Sequence, residues 1–170
     1  PVLAGSGYLT TPTVTISSPF SGTSGTPAVA NIVGETASSG GNINTKYISR
    51  RVTLEDGFDA SDLKVIVNAY KPLGSGLHVY FKVKSDEDPE DFDKKDYVLM
   101  SQETPSSVFS LTEGDTKELV FKSANDAITY TSSNVTYEKF KTFAIKIALT
   151  SNNATVIPKV RDMRAIALDE

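Results

Sequence analysis

From residue 46 onward the chain alternates apolar and polar residues with period two, segment after segment. That period belongs to half-buried β-strands, whose side chains point to opposite faces in turn. In "LKVIVNAY" the alternation sets Leu63, Val65, Val67 and Ala69 on one face. "HVYFKVK" turns Val79, Phe81 and Val83 inward and His78, Tyr80, Lys82 and Lys84 outward. "FAIKIALT" gathers Phe143, Ile145, Ile147 and Leu149. "YISRRVTL" aligns Ile48, Val52 and Leu54, with Arg50 as the odd member of that face. "KELVF" and "AITYT" are shorter candidates. "KVRDMRAIAL" breaks period: Val160, Ile166 and Leu168 share parity, but Asp162 and Arg164 stand between them. A β-bulge near Met163 reconciles the pattern.

Turn-forming clusters separate these runs: "EDGFDASD", "KPLGSG", "TEGD" and "TSNN". Helix signals are confined to "DPEDF", where Asp88 is a candidate N-cap, Pro89 the first helical residue, and Glu90 and Asp91 acidic residues of the first turn. Some eight short strands without helical crossovers predict an all-β fold, a jelly-roll-like antiparallel β-sandwich over residues 45–170.

The first 44 residues differ. They are rich in Gly, Ser, Thr, Ala and Pro, and Glu35 is their only charge. "PTVTI" alternates Val14 and Ile16 with threonines, and "AVANIV" can pair back onto it. A hairpin of this size is marginal alone, so residues 1–40 are expected to form a small β-hairpin repeat unit that leans on a neighbour. The Gly/Ser content of "ASSGGN", residues 37–42, predicts a flexible joint between the two parts. The chain begins at Pro1 and reads as a piece of a longer polypeptide.

Composition narrows the function. A net charge of −4 argues against a nucleic-acid surface. There is no cysteine, so disulfides and thiolate metal sites are excluded, and no apolar run is long enough for a membrane-spanning helix. The single histidine, His78, reads as a solvated strand residue, since nucleophilic catalysis needs a base held beside a nucleophile. No catalytic, cofactor or metal residues are expected. The acidic run "SDEDPEDFDKKD" lacks calcium-loop spacing and carries Lys94 and Lys95, so it reads as a solvated loop. Arg50, if buried, needs a carboxylate, for which Asp162 is a candidate. The outward tyrosines Tyr70, Tyr80 and Tyr97 are candidates for stacking on a sugar or for an interface, because tyrosine offers a broad amphipathic face.

Residues 44–168 resemble a segment of large virion structural proteins of tailed phages, particularly contractile-tailed phages of marine bacteria. The resemblance is carried by Tyr47, Ser49 and Arg50, "FDASDLKV", the turn at Lys71 and Pro72, "VYFKV", Met100, "FKTFAIKI", and the P-x-V-R-D run from Pro158. "GSGYLTTPTVTI" is similar to a glycine-tyrosine repeat that such proteins string upstream. The resemblance implies a tail or baseplate component of a virion, assembled in the host cytoplasm. Its partners would be other virion structural proteins and further copies of itself in a symmetric assembly. The alternative is a receptor- or glycan-binding module of a tail fibre, with a host surface glycan as ligand. Neither reading is enzymatic.

Overall fold

The computed structural model describes residues 34–125 and 127–169. The hairpin repeat expected over residues 1–40 lies almost wholly outside the described residues. From residue 46 the chain forms an antiparallel β-sandwich whose strands are the period-two segments.

One sheet runs β1 (Lys46–Ile48), β10 (Thr142–Ser151), β4 (Ser75–Lys84) and β5 (Val98–Leu99), with β2 (Val52–Thr53) also paired to β10. The other runs β11 (Lys159–Leu168), β3 (Asp62–Tyr70), β7 (Lys117–Lys122) and β6 (Ser101–Gln102). A separate hairpin joins β8 (Tyr130–Ser132) to β9 (Val135–Tyr137). Its two turn residues, Ser133 and Asn134, have φ of 50° and 65°. Positive φ at both positions matches the right-handed twist of the flanking strands. The ribbons β3–β11 and β4–β10 face each other across the core, which gives the sandwich its rolled, jelly-roll-like wrap.

The core forms where the apolar parities meet. In the β4–β10 ladder Phe143 lies opposite Val83, Ile145 opposite Phe81 and Ile147 opposite Val79. From the other sheet Leu63, Val65, Val67 and Ala69 of β3 point in with no exposed surface, joined by Leu119 and Phe121 of β7. Residue 100 closes one side. β5 pairs with β4 and β6 with β7, so the chain passes from one sheet to the other at Met100, which is buried and donates its N–H to the Val79 carbonyl. The two sheets are thereby linked at this side by a single strand that switches between them.

Three local expectations need correction. "YISRRVTL" is two strands, because Ser49 bonds Ile145 twice, N–H to carbonyl and Oγ from the Ile145 N–H, and the chain bends away. Parity is lost at that bend, so Ile48 lies opposite Lys146 and Val52 opposite Phe143, both partly exposed at the sheet rim. The bulge in β11 exists but falls at Arg161, between Val160 and Asp162. It therefore turns Met163, Ala165 and Ala167 toward the core and leaves Asp162, Arg164 and Ile166 outside. Arg50 is exposed between β1 and β2, and Asp162 approaches Arg164, so the expected Arg50–Asp162 pair does not form.

Replacing Phe121, 2% exposed, by Ala should destabilise the domain by about 3–5 kcal/mol through lost burial and a residual cavity. Leu111→Ala, at a side chain 90% exposed, should stay within about 0.5 kcal/mol. Urea denaturation of the two variants measures the contrast, and equal losses would contradict this core assignment.

Candidate functional site

The outer face of the β4–β10 sheet is where the sequence-predicted residues converge. Tyr80 lies opposite Lys146, Lys82 opposite Ala144, and His78 opposite Ala148. Period two places them away from the main core, as expected, yet Tyr80, Lys82 and Lys146 are all buried. The cover is the segment 34–45, which crosses this face and forms a second small core in which Ile43 packs with Tyr80, Tyr97 and Ala148. The expected flexible joint at residues 37–42 is thus a clamped strap. Its glycines allow the tight path: Gly41 has φ of +73°, and a Cβ there would come within 2.7 Å of the Glu35 Cα.

Glu35 organises the strap. One carboxylate oxygen, Oε1, accepts hydrogen bonds from the backbone N–H groups of Asn42 (2.8 Å) and Ile43 (2.7 Å). The other faces Lys146 Nζ at 3.2 Å. Lys146, with no exposed surface, also donates to the backbone carbonyls of Glu35 and Gly40. Its ammonium stands 4.2 Å from the centre of the Tyr80 ring and 5.3 Å from that of Tyr97, within cation–π range. Burial lowers the Lys146 pKa and Glu35 opposes that shift. Burial and then the Glu35 charge push Tyr80 up to about 12, so its hydroxyl stays protonated. Beside this pair Lys82 lies over the rings of Phe92 and Tyr97, and Arg51 also lies over the Phe92 ring.

Tyr80 and Tyr97 therefore come together, but their rings serve as platforms for lysines of the same chain and are not presented to a sugar. Tyr70, half-buried, sits at the end of β3 in the opposite sheet, opposite Lys159. The three do not form one surface. Sequence reasoning missed Glu35 and Lys146 as partners; the available signal was a lone charge in an otherwise uncharged segment.

The acidic run holds a second buried network. Asp88 is buried, not solvated, and meets Lys95 Nζ at 2.5 Å. It also accepts from the Tyr130 and Ser132 hydroxyls and from the Glu90 N–H. The last contact is a turn-type bond, and the expected helical turn is instead a 3-10 turn at Phe92–Lys94 in which Asp88 plays no capping part. Burial opposes ionisation of Asp88, but the bonds from Lys95, the Glu90 N–H, Tyr130 and Ser132 prevail, and its pKa falls to about 2. Among the described residues no group of three or more His, Cys, Asp or Glu side chains is placed to hold a metal ion.

The remaining feature is an open edge. β11 ends its sheet, and over its ten residues, about 33 Å at strand rise, one side of its backbone is unpaired among the described residues. Lys159 is paired with Glu113 and Arg164 with Glu118, so these charges are engaged within the chain, while Ile166 remains 42% exposed.

The fold thus defines an antiparallel all-β sandwich with a clamped N-terminal strap and, among the described residues, a long free edge at β11. No family model, curated protein or solved structure matches the chain.

Glu35→Gln should destabilise the domain by about 3 kcal/mol, because it leaves a buried ammonium without its counter-charge. It should also speed amide exchange at Asn42 and Ile43. Denaturation with hydrogen-exchange mass spectrometry reads both, and a loss under about 0.5 kcal/mol with unchanged exchange would show that the pair does not hold the strap. Asp88 gives a pH signature. Its folded pKa, about 2, lies below its ordinary value of 3.8, so the stabilisation is complete above about pH 4 and is lost as pH falls toward 2. The difference is worth about 2 kcal/mol. In Asp88→Asn this stretch of the stability–pH curve should flatten; an unchanged acid limb would count against the assignment.

Proposed function

We propose that the chain is a structural component of a phage virion, in the tail or baseplate, which joins subunits and carries out no catalytic step. The observation that carries this reading is the free edge of β11. A long edge strand with apolar side chains is a template for another strand, and isolated domains normally blunt such edges. The Arg161 bulge blunts only the first part of this one. Residues 162–168 are regularly paired to β3 on one side and, among the described residues, open on the other. The resemblance of residues 44–168 to tailed-phage virion proteins points the same way. The partners would be other virion structural proteins and further copies of this chain, assembled in the host cytoplasm. A tail-fibre module binding a host surface glycan draws no support from Tyr80 and Tyr97, whose rings lie beneath the strap.

Ile166→Lys should leave folding stability within about 0.5 kcal/mol, since the side chain is partly exposed, yet abolish association. Sedimentation velocity of the wild-type and variant chains, together with mass spectrometry of purified particles, tests the reading. A chain absent from the particles, or an assembly indifferent to Ile166→Lys, would overturn it.

A further inference from the structure

Four lysines of the described chain are buried: Lys71, Lys82, Lys95 and Lys146. Three have acidic company. Lys95 pairs with Asp88 and Glu90, Lys146 pairs with Glu35, and Lys82 feels Asp93 and Asp96 while resting on two rings. Lys71 has none. It is 5% exposed, its ammonium donates to the carbonyls of Ser106 (3.0 Å) and Val108 (3.5 Å), and it stands 4.8 Å from the centre of the Phe109 ring. Burial shifts its pKa downward. An ammonium has three donors, and two carbonyls do not supply the negative charge that a desolvated cation lacks.

Lys71 lines a cleft of about 410 Å³ beside the crossing at Met100. Leu77, Leu99, Met100 and Phe109 supply apolar wall, and His78 and Gln102 supply polar groups. Gly76 belongs to the lining too, and a Cβ there would come within 2.9 Å of His78 Nε2, so the glycine keeps this corner open. Burial and then the Lys71 charge lower the His78 pKa from 6.5, which leaves its ring neutral at pH 7. The cleft thus carries one positive charge in a mainly apolar lining, within the size range of small-ligand sites.

We propose that this cleft binds the carboxylate of a small molecule or chain end with an apolar body, with the Lys71 ammonium as its counter-charge. A monoanion matches the single charge, whereas a phosphate dianion would bring a second, unmatched one. The apolar wall takes the body of the ligand, and the neutral His78 ring, whose Nε2 lies 3.3 Å from Thr150 Oγ1, has one N–H that can donate to a carboxylate oxygen.

The test is an NMR titration of the full chain at pH 7 and constant ionic strength with hexanoate, hexanamide, inorganic phosphate, and an acetylated peptide ending in Phe as free acid or amide. Hexanoate or the free-acid peptide should shift the resonances of Gly76, His78 and Phe109, and the neutral amides should not. The stronger of the two acids distinguishes a free acid from a chain end. Bound carboxylate should also raise the His78 pKa in the wild-type chain, because a nearby anion favours the imidazolium. Lys71→Met should weaken binding at least about tenfold. If that variant does not fold, the wild-type His78 titration decides alone. Equal shifts by acid and amide, phosphate binding as tight as hexanoate, or a His78 pKa unmoved by saturating hexanoate would each overturn the proposal.

Discussion

A lysine ammonium shut away from water in the middle of a sheet face is costly unless negative charge stands beside it. Lys146 is in that position, and Glu35 supplies the charge from a segment more than a hundred residues earlier. Much of the outer face depends on this pairing. The strap has to cross β10 and β4 to bring Glu35 there, and crossing them covers Tyr80 and Ala148. The same carboxylate then fixes the strap's own turn through two backbone N–H groups. With this ionic contact the centre of the sheet is buried on both faces, around Tyr80, Lys82 and Lys146, which antiparallel sheets often are not. It also makes the chain leaving the sandwich toward residue 34 part of the domain.

The buried lysines are a comparison set within one molecule. Lys146 and Lys95 are compensated by carboxylates, and Lys82 by aromatic faces with acids nearby. Each of those three rigidifies an otherwise irregular segment: the strap, the acidic loop and the 3-10 turn. Lys71 ties down residues 106–108 in the same manner but through carbonyls only. Carbonyl dipoles satisfy donors without neutralising charge, and that distinction sets Lys71 apart from the other three.

The two sheets end differently. Where β5 becomes β6 the chain stitches the sheets together at Met100. β11, by contrast, ends its sheet, and the bulge at Arg161 restores the inward parity of the residues after it. Without that extra residue the small apolar positions Ala165 and Ala167 would face solvent, and Asp162 and Arg164 would face the core. The bulge therefore keeps β11 in the sandwich while leaving its far edge regular enough to receive another strand.

Strand identity was legible in the sequence because burial on one face imposes period two directly on the residues: β3, β4 and β10 keep the alternation of "LKVIVNAY", "HVYFKVK" and "FAIKIALT". The need for a bulge in the last strand was legible too, from charges at the wrong parity, though not its place at Arg161. What covers an outward face was not legible, since parity says only which side of a sheet a residue takes and nothing about what lies above it. Tyr80, Lys82 and Asp88 read as solvated residues for that reason, and residues 37–42 read as a flexible joint because their composition contains no trace of the Glu35 contact. The sequence by itself determined the strands and the main core, both products of local alternation. Only the tertiary structure decided the strap, the pairing of Lys146 with Glu35 and of Lys95 with Asp88, and the isolation of Lys71, because each depends on which distant segment a charge meets once water is gone.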